Sequence, residues 1–386
     1  MRIIAIWPAE PVWQRDLALS VRFLRELGHD ATLVVDEQYL IPGEKRQSIE
    51  FVKWSELSTN EWWNARKPDG VILGLFGATR HASIRAAALR NCNRVIERLD
   101  TDGTLAPAIS LVRYFDAYWT HYADAGGGIM RAVAPILAAI RTIFLAAFPG
   151  LLFRRVALEL ASVPMITAPL PIAATRVEHF IARYAGTDRQ VDFAPFAIDS
   201  SGFRFDPSVE RRKRIVTIGR WTSRQKGALL MRDVLVRFLK EYPDWEATVI
   251  GTGATEFDYS SVSTRVSVAE SLAPAQIARL LQQSRIYFLS SRQEGASLAC
   301  SEALVSGCSI VGPASVACVE FDVSANSGTA ATRRRPKELL DALRCEAELW
   351  NTGSRNPGEI AQHWRTIHDG DVATQRYVDL LTRLPR

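Results

Sequence analysis

An alternation of short apolar strands with amphipathic helices runs along the first part of the chain, lapses, and starts again near residue 200. "RIIAIW" (2–7) leads into a helical stretch from about Val12 to Leu27 closed by Gly28, then "ATLVV" (31–35), "GVILGLFG" (70–77), a helix through "SIRAAALRN" (83–91) and "RVIERLD" (94–100). After the polar stretch "DSSGFRFDPSVERRKR" (199–214), "IVTIG" (215–219), "WEATVIG" (245–251), "RVSVAE" (265–270), "RIYFLSS" (285–291) and "SIVGP" (309–313) alternate with helical segments at 228–241, 274–284 and 297–306. Strands that alternate with helices must lie parallel, with helices on both sheet faces. Two runs in 386 residues, longer than one core usually holds, imply two domains. The expected fold class is α/β, with two doubly wound, Rossmann-like domains facing across a cleft. The first domain is expected over 1–198 with a mostly helical insertion at about 105–160, the second over 199–358, and terminal helices over 359–386 packing back on the first. In such sheets ligands bind at the carboxyl ends of the strands, where helix amino termini point.

Composition excludes several function classes. With 47% hydrophobic and 23% charged residues, the chain is neither disordered nor collagen-like. A net charge of +5 is mild, and no basic stripe with interleaved aromatics appears, so nucleic acid is not an expected partner. The five cysteines, Cys92, Cys300, Cys308, Cys318 and Cys345, form no C-x-x-C pair and have no His partner at ligand spacing. That usage fits a reducing cytoplasm, and the opening "MRIIAIWPAEPVW" reads as a first strand rather than a signal peptide. Residues 129–155 carry an apolar run from Ala132 to Phe153 whose one charge is Arg141. A membrane span is disfavoured by Arg141, at about 2.5–3.5 kcal/mol on insertion scales, and by Pro135 and Pro149, which are expected to break the run into short helices. Core or cleft-lining helices and an interfacial amphipathic segment on an anionic membrane both stay open.

The chemistry concentrates in "SRQEGASLACSEALVSG" (291–307). Glu294 falls in the turn after a strand, and Glu302 more than a turn into the helix that follows. Gly295 permits close backbone approach, and the amides of Ala296, Ser297 and Leu298 form an anion site at the helix start. A ligand with hydroxyls at both ends and phosphates between fits one carboxylate on each side of an anion pocket: Glu302 on a ribose, Glu294 on a sugar ring. Two carboxylates could equally be a glycosidase acid and nucleophile. The second motif, "GRWTSRQKG" (219–227), argues for the first reading, because Arg220 and Lys226 suit the charge that develops on a departing diphosphate. The bland alternative makes "RRKR" (211–214), Arg220, Arg224 and Lys226 a basic exposed linker.

"EGASLACSEALVSG" resembles the E-x7-E signature of retaining family 4 glycosyltransferases of the GT-B fold, and "GRW...QKG" resembles their paired Arg and Lys motif. "PFAID" (195–199) and "VIGTG" (249–253) line up in order, so the resemblance covers about 195–313. It implies transfer of a sugar from a nucleotide-diphosphate donor with retention, without a cofactor or metal. A glycan or lipid-linked acceptor is expected, the lipid because 129–155 pairs apolar length with flanking Arg131, Arg141, Arg154 and Arg155, which would set a cytoplasmic protein peripherally at the inner membrane face. Residue by residue, it implies that Arg220 and Lys226 bind the diphosphate, that Glu294 contacts the transferred sugar and Glu302 the ribose, and that Gly295 to Leu298 meet phosphate. Gly219 and Gly253 border the donor, and the nucleobase is expected near Gly251 to Gly253 and Ser271. The chain departs from the family in "WPAEPVWQR" (7–15), which lacks a glycine pair, and in "RLDTDG" (98–103), which offers Asp100 and Asp102 where relatives often have a histidine. Asp100 is a candidate base, with His81 and His121 weaker ones. Two alternatives remain: a non-catalytic GT-B nucleotide-binding subunit or scaffold of a transferase complex, and a phosphorylase or epimerase on the same fold.

Overall fold

The computed structural model describes residues 1–8, 16–40, 48–75, 79–101, 111–125, 127–324 and 326–385. In chain order the elements begin β1 (Arg2–Trp7), α1 (Asp16–Glu26), β2 (Asp30–Asp36), β3 (Ile49–Val52), α2 (Asn60–Arg66), β4 (Gly70–Leu73), α3 (Ala82–Asn91) and β5 (Val95–Arg98). Three helices follow, α4 (Leu111–Ala125), α5 (Gly128–Ala147) and α6 (Pro149–Ala161), then β6 (Met165–Ala168), α7 (Pro171–Ala185) and β7 (Val191–Phe193). The rest comprises β8 (Arg214–Ile218), α8 (Ala228–Glu241), β9 (Glu246–Ile250), β10 (Val266–Ala269), α9 (Pro274–Gln282), β11 (Ile286–Phe288), α10 (Leu298–Val305), β12 (Ser309–Pro313), α11 (Ala317–Asp322), β13 (Gly328–Ala331), α12 (Pro336–Asn351), α13 (Pro357–His368) and α14 (Gly370–Arg383).

These elements form two compact units. One comprises Met1–Ile109, Phe144–Asp199 and His368–Arg386; the other comprises Ser110–Ile143 and Ser200–Ile367. This division differs from the one drawn from the sequence. Residues 110–143 of the insertion group with the second unit, because α4 packs on the short helical turn Arg224–Lys226. So does most of α13, whose Trp364 Nε1 donates to Ser327 Oγ at 2.8 Å.

The first unit holds a parallel sheet in the order β3-β2-β1-β4-β5-β6-β7. Its central strands are apolar on both faces, as a sheet covered by helices on both sides requires. Ile3, Ala5, Leu33 and Val35 pack against Leu17, Val21 and Leu24 of α1 and Tyr377, Val378 and Leu381 of α14. Arg85 is buried within this unit with its charge paired: it donates to both carboxylate oxygens of Glu97 at 3.0 Å, with side chains 1% and 0% exposed, and to Glu159 at 3.1 Å.

The second unit holds a parallel sheet in the order β10-β9-β8-β11-β12-β13. Val216, Val249, Phe288 and Val311 on its strands are buried, as are Leu235 and Phe238 of α8 and Leu339 and Leu343 of α12. β8 and β11 are direct neighbours, with Ile286 opposite Ile215 and Tyr287 opposite Val216. The turns that follow these two strands therefore leave the sheet side by side, although 68 residues separate Lys226 from Glu294.

Pro135 does not break the apolar run. It lies inside the continuous 20-residue helix α5, where its missing N–H and ring remove one backbone hydrogen bond. Pro149, in contrast, starts α6 at a first-turn position that needs no N–H.

Candidate active site

The turn after β8 is shaped by two glycines. Gly251 takes φ +123°, and a side chain there would place Cβ 1.9 Å from the Gly219 carbonyl oxygen, so the β8 and β9 turns touch backbone to backbone. Gly219 N–H donates to the Ile250 carbonyl at 3.0 Å, and Trp221 is pinned by its indole N–H to the same carbonyl at 2.9 Å. The chain then makes a helical turn over Arg224–Lys226, with Ser223 Oγ accepting from Gln225 N–H at 3.2 Å. Ser290 Oγ, from the end of the neighbouring strand, donates to the Lys226 carbonyl at 2.7 Å.

This stitching aims Lys226 at the second motif. Its Nζ lies 2.7 Å from Glu294 Oε1, and Gln225 Nε2 contacts Glu294 Oε2 at 3.5 Å and the Gln293 carbonyl at 2.8 Å. Glu294 is 8% exposed, so it is a nearly buried carboxylate held by one cation and one amide. Arg220 opens the same turn with an exposed side chain, and its carbonyl accepts from Ser223 N–H at 2.9 Å.

Helix α10 starts at Leu298 with Ser297 as its cap, whose Oγ accepts from Cys300 N–H at 3.3 Å. First-turn amides have no acceptor within their own helix. The Ser297 cap satisfies that of Cys300, and Gly295 and Ala296 precede this cap in the chain. Glu302 is 4% exposed on α10, whose residues from Cys300 to Val305 are all buried.

Gly253 is committed to a neighbour: its N–H donates to Glu270 Oε2 at 2.8 Å, while Thr255 N–H donates to Oε1 of the same carboxylate at 3.2 Å. Ser271 follows Glu270 directly. Asp100 lies in the first unit, exposed, just beyond the carboxyl end of β5, and Asp102 lies outside the described residues. His81 is buried, with Trp54 Nε1 3.0 Å from its Nδ1 and Arg80 Nε 3.0 Å from its Nε2, and a neutral ring accepts a hydrogen bond from one of the two. Burial, then Arg80 and Arg85, lower its pKa to about 4, so it packs as a neutral ring. His121 is exposed on α4 beside the rings of Tyr118 and Tyr122.

Some basic residues are not a loose linker. Arg211 is part-buried and donates to the carbonyls of Ser284 and Ser306, tying β8's approach to α9 and α10. Arg224 pairs with Asp116 Oδ1 at 2.6 Å and lies 3.8 Å over the Trp119 ring, both on α4. Arg292, Arg334 and Asp124 join this cluster, which sequence reading missed. Its partners are 100 to 176 residues apart, and local spacing carries no trace of such pairing.

Cys300 and Cys318, widely spaced in sequence, meet Asp322 with donor atoms within 4.8 Å of one another, all buried. Burial pushes the Asp322 carboxyl well above its usual range, and the hydrogen bond from Cys300 together with burial does the same for the Cys318 thiol. Burial raises the Cys300 thiol as well, so all three groups are shifted toward their protonated forms.

Residues 212–346 match the family model for glycosyl transferases group 1. No curated protein matches the chain in sequence. Solved structures resemble it over nearly their whole length. Anabaena HepE in complex with UDP-glucose superposes with a TM-score of 0.64 at 13% identity, covering 99% of each chain. Sucrose-phosphate synthase from Thermosynechococcus elongatus gives 0.64 at 10% identity, again over 99% of both chains. The catalytic domain of starch synthase IV from Arabidopsis thaliana, bound to ADP and acarbose, gives 0.63 at 11% identity over 99% of this chain and 96% of that one. The chain thus has the GT-B fold of two Rossmann-like units, and Arg220, Lys226, Glu294 and Glu302 all lie within the segment that matches the family model.

Proposed function

We propose that the chain is a retaining, metal-independent glycosyltransferase that moves a sugar from a nucleotide-diphosphate donor to a glycan or lipid-linked acceptor. The observation that carries this reading is the 2.7 Å contact between Lys226 and Glu294, which joins the two motifs in one unit, with Glu294 four residues ahead of the start of α10 at Leu298. In this reading Arg220 and Lys226 neutralise the diphosphate as it leaves, in the role a divalent cation would otherwise take. The amides of Gly295 to Leu298 hold phosphate, Glu294 accepts from sugar hydroxyls and Glu302 from the ribose. Asp100 is assigned to an acceptor or sugar hydroxyl. The UDP-glucose bound by Anabaena HepE makes a UDP-sugar the first donor to try.

The acceptor is read as a surface polysaccharide or glycolipid precursor at the cytoplasmic face of a bacterial membrane. Support comes from 125–158, which holds four arginines and no carboxylate, and from α5, which presents Ile129, Ile136, Ile140 and Ile143 to solvent. The test is a thermal-shift panel of UDP, GDP, ADP and CMP, alone and as sugar conjugates, on the wild type and Lys226→Ala. A ligand at a hundred times its dissociation constant stabilises by about 2.7 kcal/mol. One diphosphate should shift the wild type and lose its effect in the variant. No shift with any nucleotide would favour the non-catalytic scaffold. Retention is read from the anomeric proton of the product by NMR.

A further inference from the structure

The second unit contains a cavity of about 480 Å³ that neither Lys226 nor Glu294 lines. Four arginines, Arg131, Arg224, Arg292 and Arg334, line it together with one carboxylate, Asp124. Asp116 bridges Arg224 and Arg292 at 2.6 and 3.4 Å, and Asp124 accepts from Ser223 Oγ and from Arg224 N–H at 3.2 Å. Four guanidinium groups against two carboxylates leave an excess of two positive charges.

The excess sits in a partly dry place. Burial, together with Arg292 and Arg224, lowers the pKa of Arg334 to about 10, and Arg292 Nε is buried without a hydrogen-bond partner among the described residues. Arg334 Nε donates to the carbonyls of Ser290 and Ser291 at 2.8 and 3.2 Å. Its guanidinium also occupies the space a side chain at residue 227 would need, since Cβ there would fall 2.0 Å from Arg334 Nη2. Gly227 supplies no side-chain cap to the 14-residue helix α8, whose first turn, Ala228 to Leu230, opens on the same cavity. A helix start adds its own positive potential to that of the guanidinium groups. Like charges are gathered at such a cost when an anion completes the set.

We infer that this cavity binds a phosphate group, at a place separate from the donor diphosphate. Arg131, in the first turn of α5, joins the cavity to the helix whose opposite face is apolar and exposed, which suits a phosphorylated acceptor with an apolar tail. Assigning the ligand to the acceptor rests on the transferase reading, whereas the site itself does not. Free phosphate and a lipid phosphate share the recognised chemistry.

Inorganic phosphate and sub-micellar n-octyl phosphate are titrated, with chloride at matched ionic strength, into the wild type, Arg292→Gln, Arg131→Gln and Lys226→Ala, and melting temperature is followed. The expected result is stabilisation of the wild type and Lys226→Ala alike, with affinity about tenfold weaker in either arginine variant, as for loss of one charged hydrogen bond. Tighter binding of octyl phosphate than phosphate identifies a lipid source; equal binding identifies the free anion. Arg131→Gln leaves every ion pair to Asp116 in place, so a folding defect in Arg292→Gln cannot mimic the effect. The site is overturned by an effect matched by chloride, by no effect of either phosphate, or by an effect lost in Lys226→Ala and kept in both arginine variants. The last outcome places the anion on the donor residues and leaves the donor reading standing.

Discussion

Lys226 Nζ lies 2.7 Å from Glu294 Oε1, so each motif carries the counter-charge of the other before any ligand arrives. The pair is mostly buried, with side chains 22% and 9% exposed, so removing one partner strands the other. Lys226→Ala is expected to lower kcat by about 10²–10³, the size seen when one preorganised donor to a developing charge is lost. Glu294→Gln, which keeps the shape, should leave nucleoside diphosphate binding near wild type while lowering turnover of the sugar conjugate. Isothermal titration with diphosphate and with donor separates the two. Equal loss of diphosphate binding in both variants would mean that Glu294 does not serve the sugar.

Arg85 and Glu97 form the most deeply buried ion pair of the first unit, remote in role from the proposed chemistry. Arg85→Met alone leaves a buried carboxylate and is expected to cost about 3–5 kcal/mol. Arg85→Met with Glu97→Leu should recover most of that, since a well-packed apolar pair replaces a desolvated ionic one. Denaturant midpoints of the two variants check this. A double variant no more stable than the single would show that Glu159 and the surrounding packing, not the stranded charge, set the cost.

The β/α rhythm was readable because buried parallel strands are near-continuous apolar runs, and "RIIAIW", "WEATVIG" and "SIVGP" all sit within a residue or two of β1, β9 and β12. The strands not legible in the sequence, β3, β7 and β13, are all sheet edges, and their sequences are weak: "VDF" is three residues long, and "GTAA" lacks the branched side chains that mark a strand. Glu294 and Lys226 could be brought together on paper because their turns follow strands, and neighbouring strands deliver their turns to one edge. Arg224, Arg292, Arg334 and Asp116 could not, since what joins them is the packing of α4 on the second unit. Pro135 lies inside a helix for a local reason: proline is disfavoured there, yet the cost is one backbone bond in a helix of twenty residues, most of them apolar.

His368 is fully buried, with Nδ1 3.2 Å from the Phe196 carbonyl. Burial lowers its pKa from 6.5 to about 4. The unfolded chain therefore takes a proton near pH 6.5 that the folded chain refuses until about pH 4, and stability falls across that window as pH drops. The loss is about 2 kcal/mol by pH 5. His81, lowered to about 4 by burial and two arginines, adds in the same direction. His368→Gln, whose amide can still donate to Phe196, should be less stable at pH 7.5 yet show a shallower acid limb. Urea midpoints between pH 7.5 and 4.5 are the measurement, since midpoints compare safely in a chain of two units. Parallel limbs in wild type and variant would remove His368 from the account.

Helix α5 shows one face to solvent that a soluble surface rarely shows. Ile129, Ile136, Ile140, Ile143 and Phe144 are 85%, 60%, 60%, 68% and 46% exposed at helical spacing, while Ala134, Ala138 and Leu145 cover the opposite, buried side. Arg141 flanks the stripe and stacks over Tyr118 at 4.2 Å. The helix is long and apolar enough to cross a membrane, yet its buried side is committed to the protein, so the membrane contact proposed above is one that lies in the interface rather than spans. Binding should then need both apolar insertion and anionic headgroups. Vesicles rich in phosphatidylglycerol are expected to sediment the protein, pure phosphatidylcholine vesicles much less, and salt should weaken the difference. Ile136→Glu with Ile140→Glu removes two side chains worth about 1.5–3 kcal/mol each when buried, which predicts at least a hundredfold loss of partitioning. Val372→Glu, an exposed apolar site on α14, is the control and should change nothing. If the wild type ignores both vesicles and sediments as a dimer that the double variant dissolves, the stripe is a contact between copies of the chain and the membrane reading is wrong.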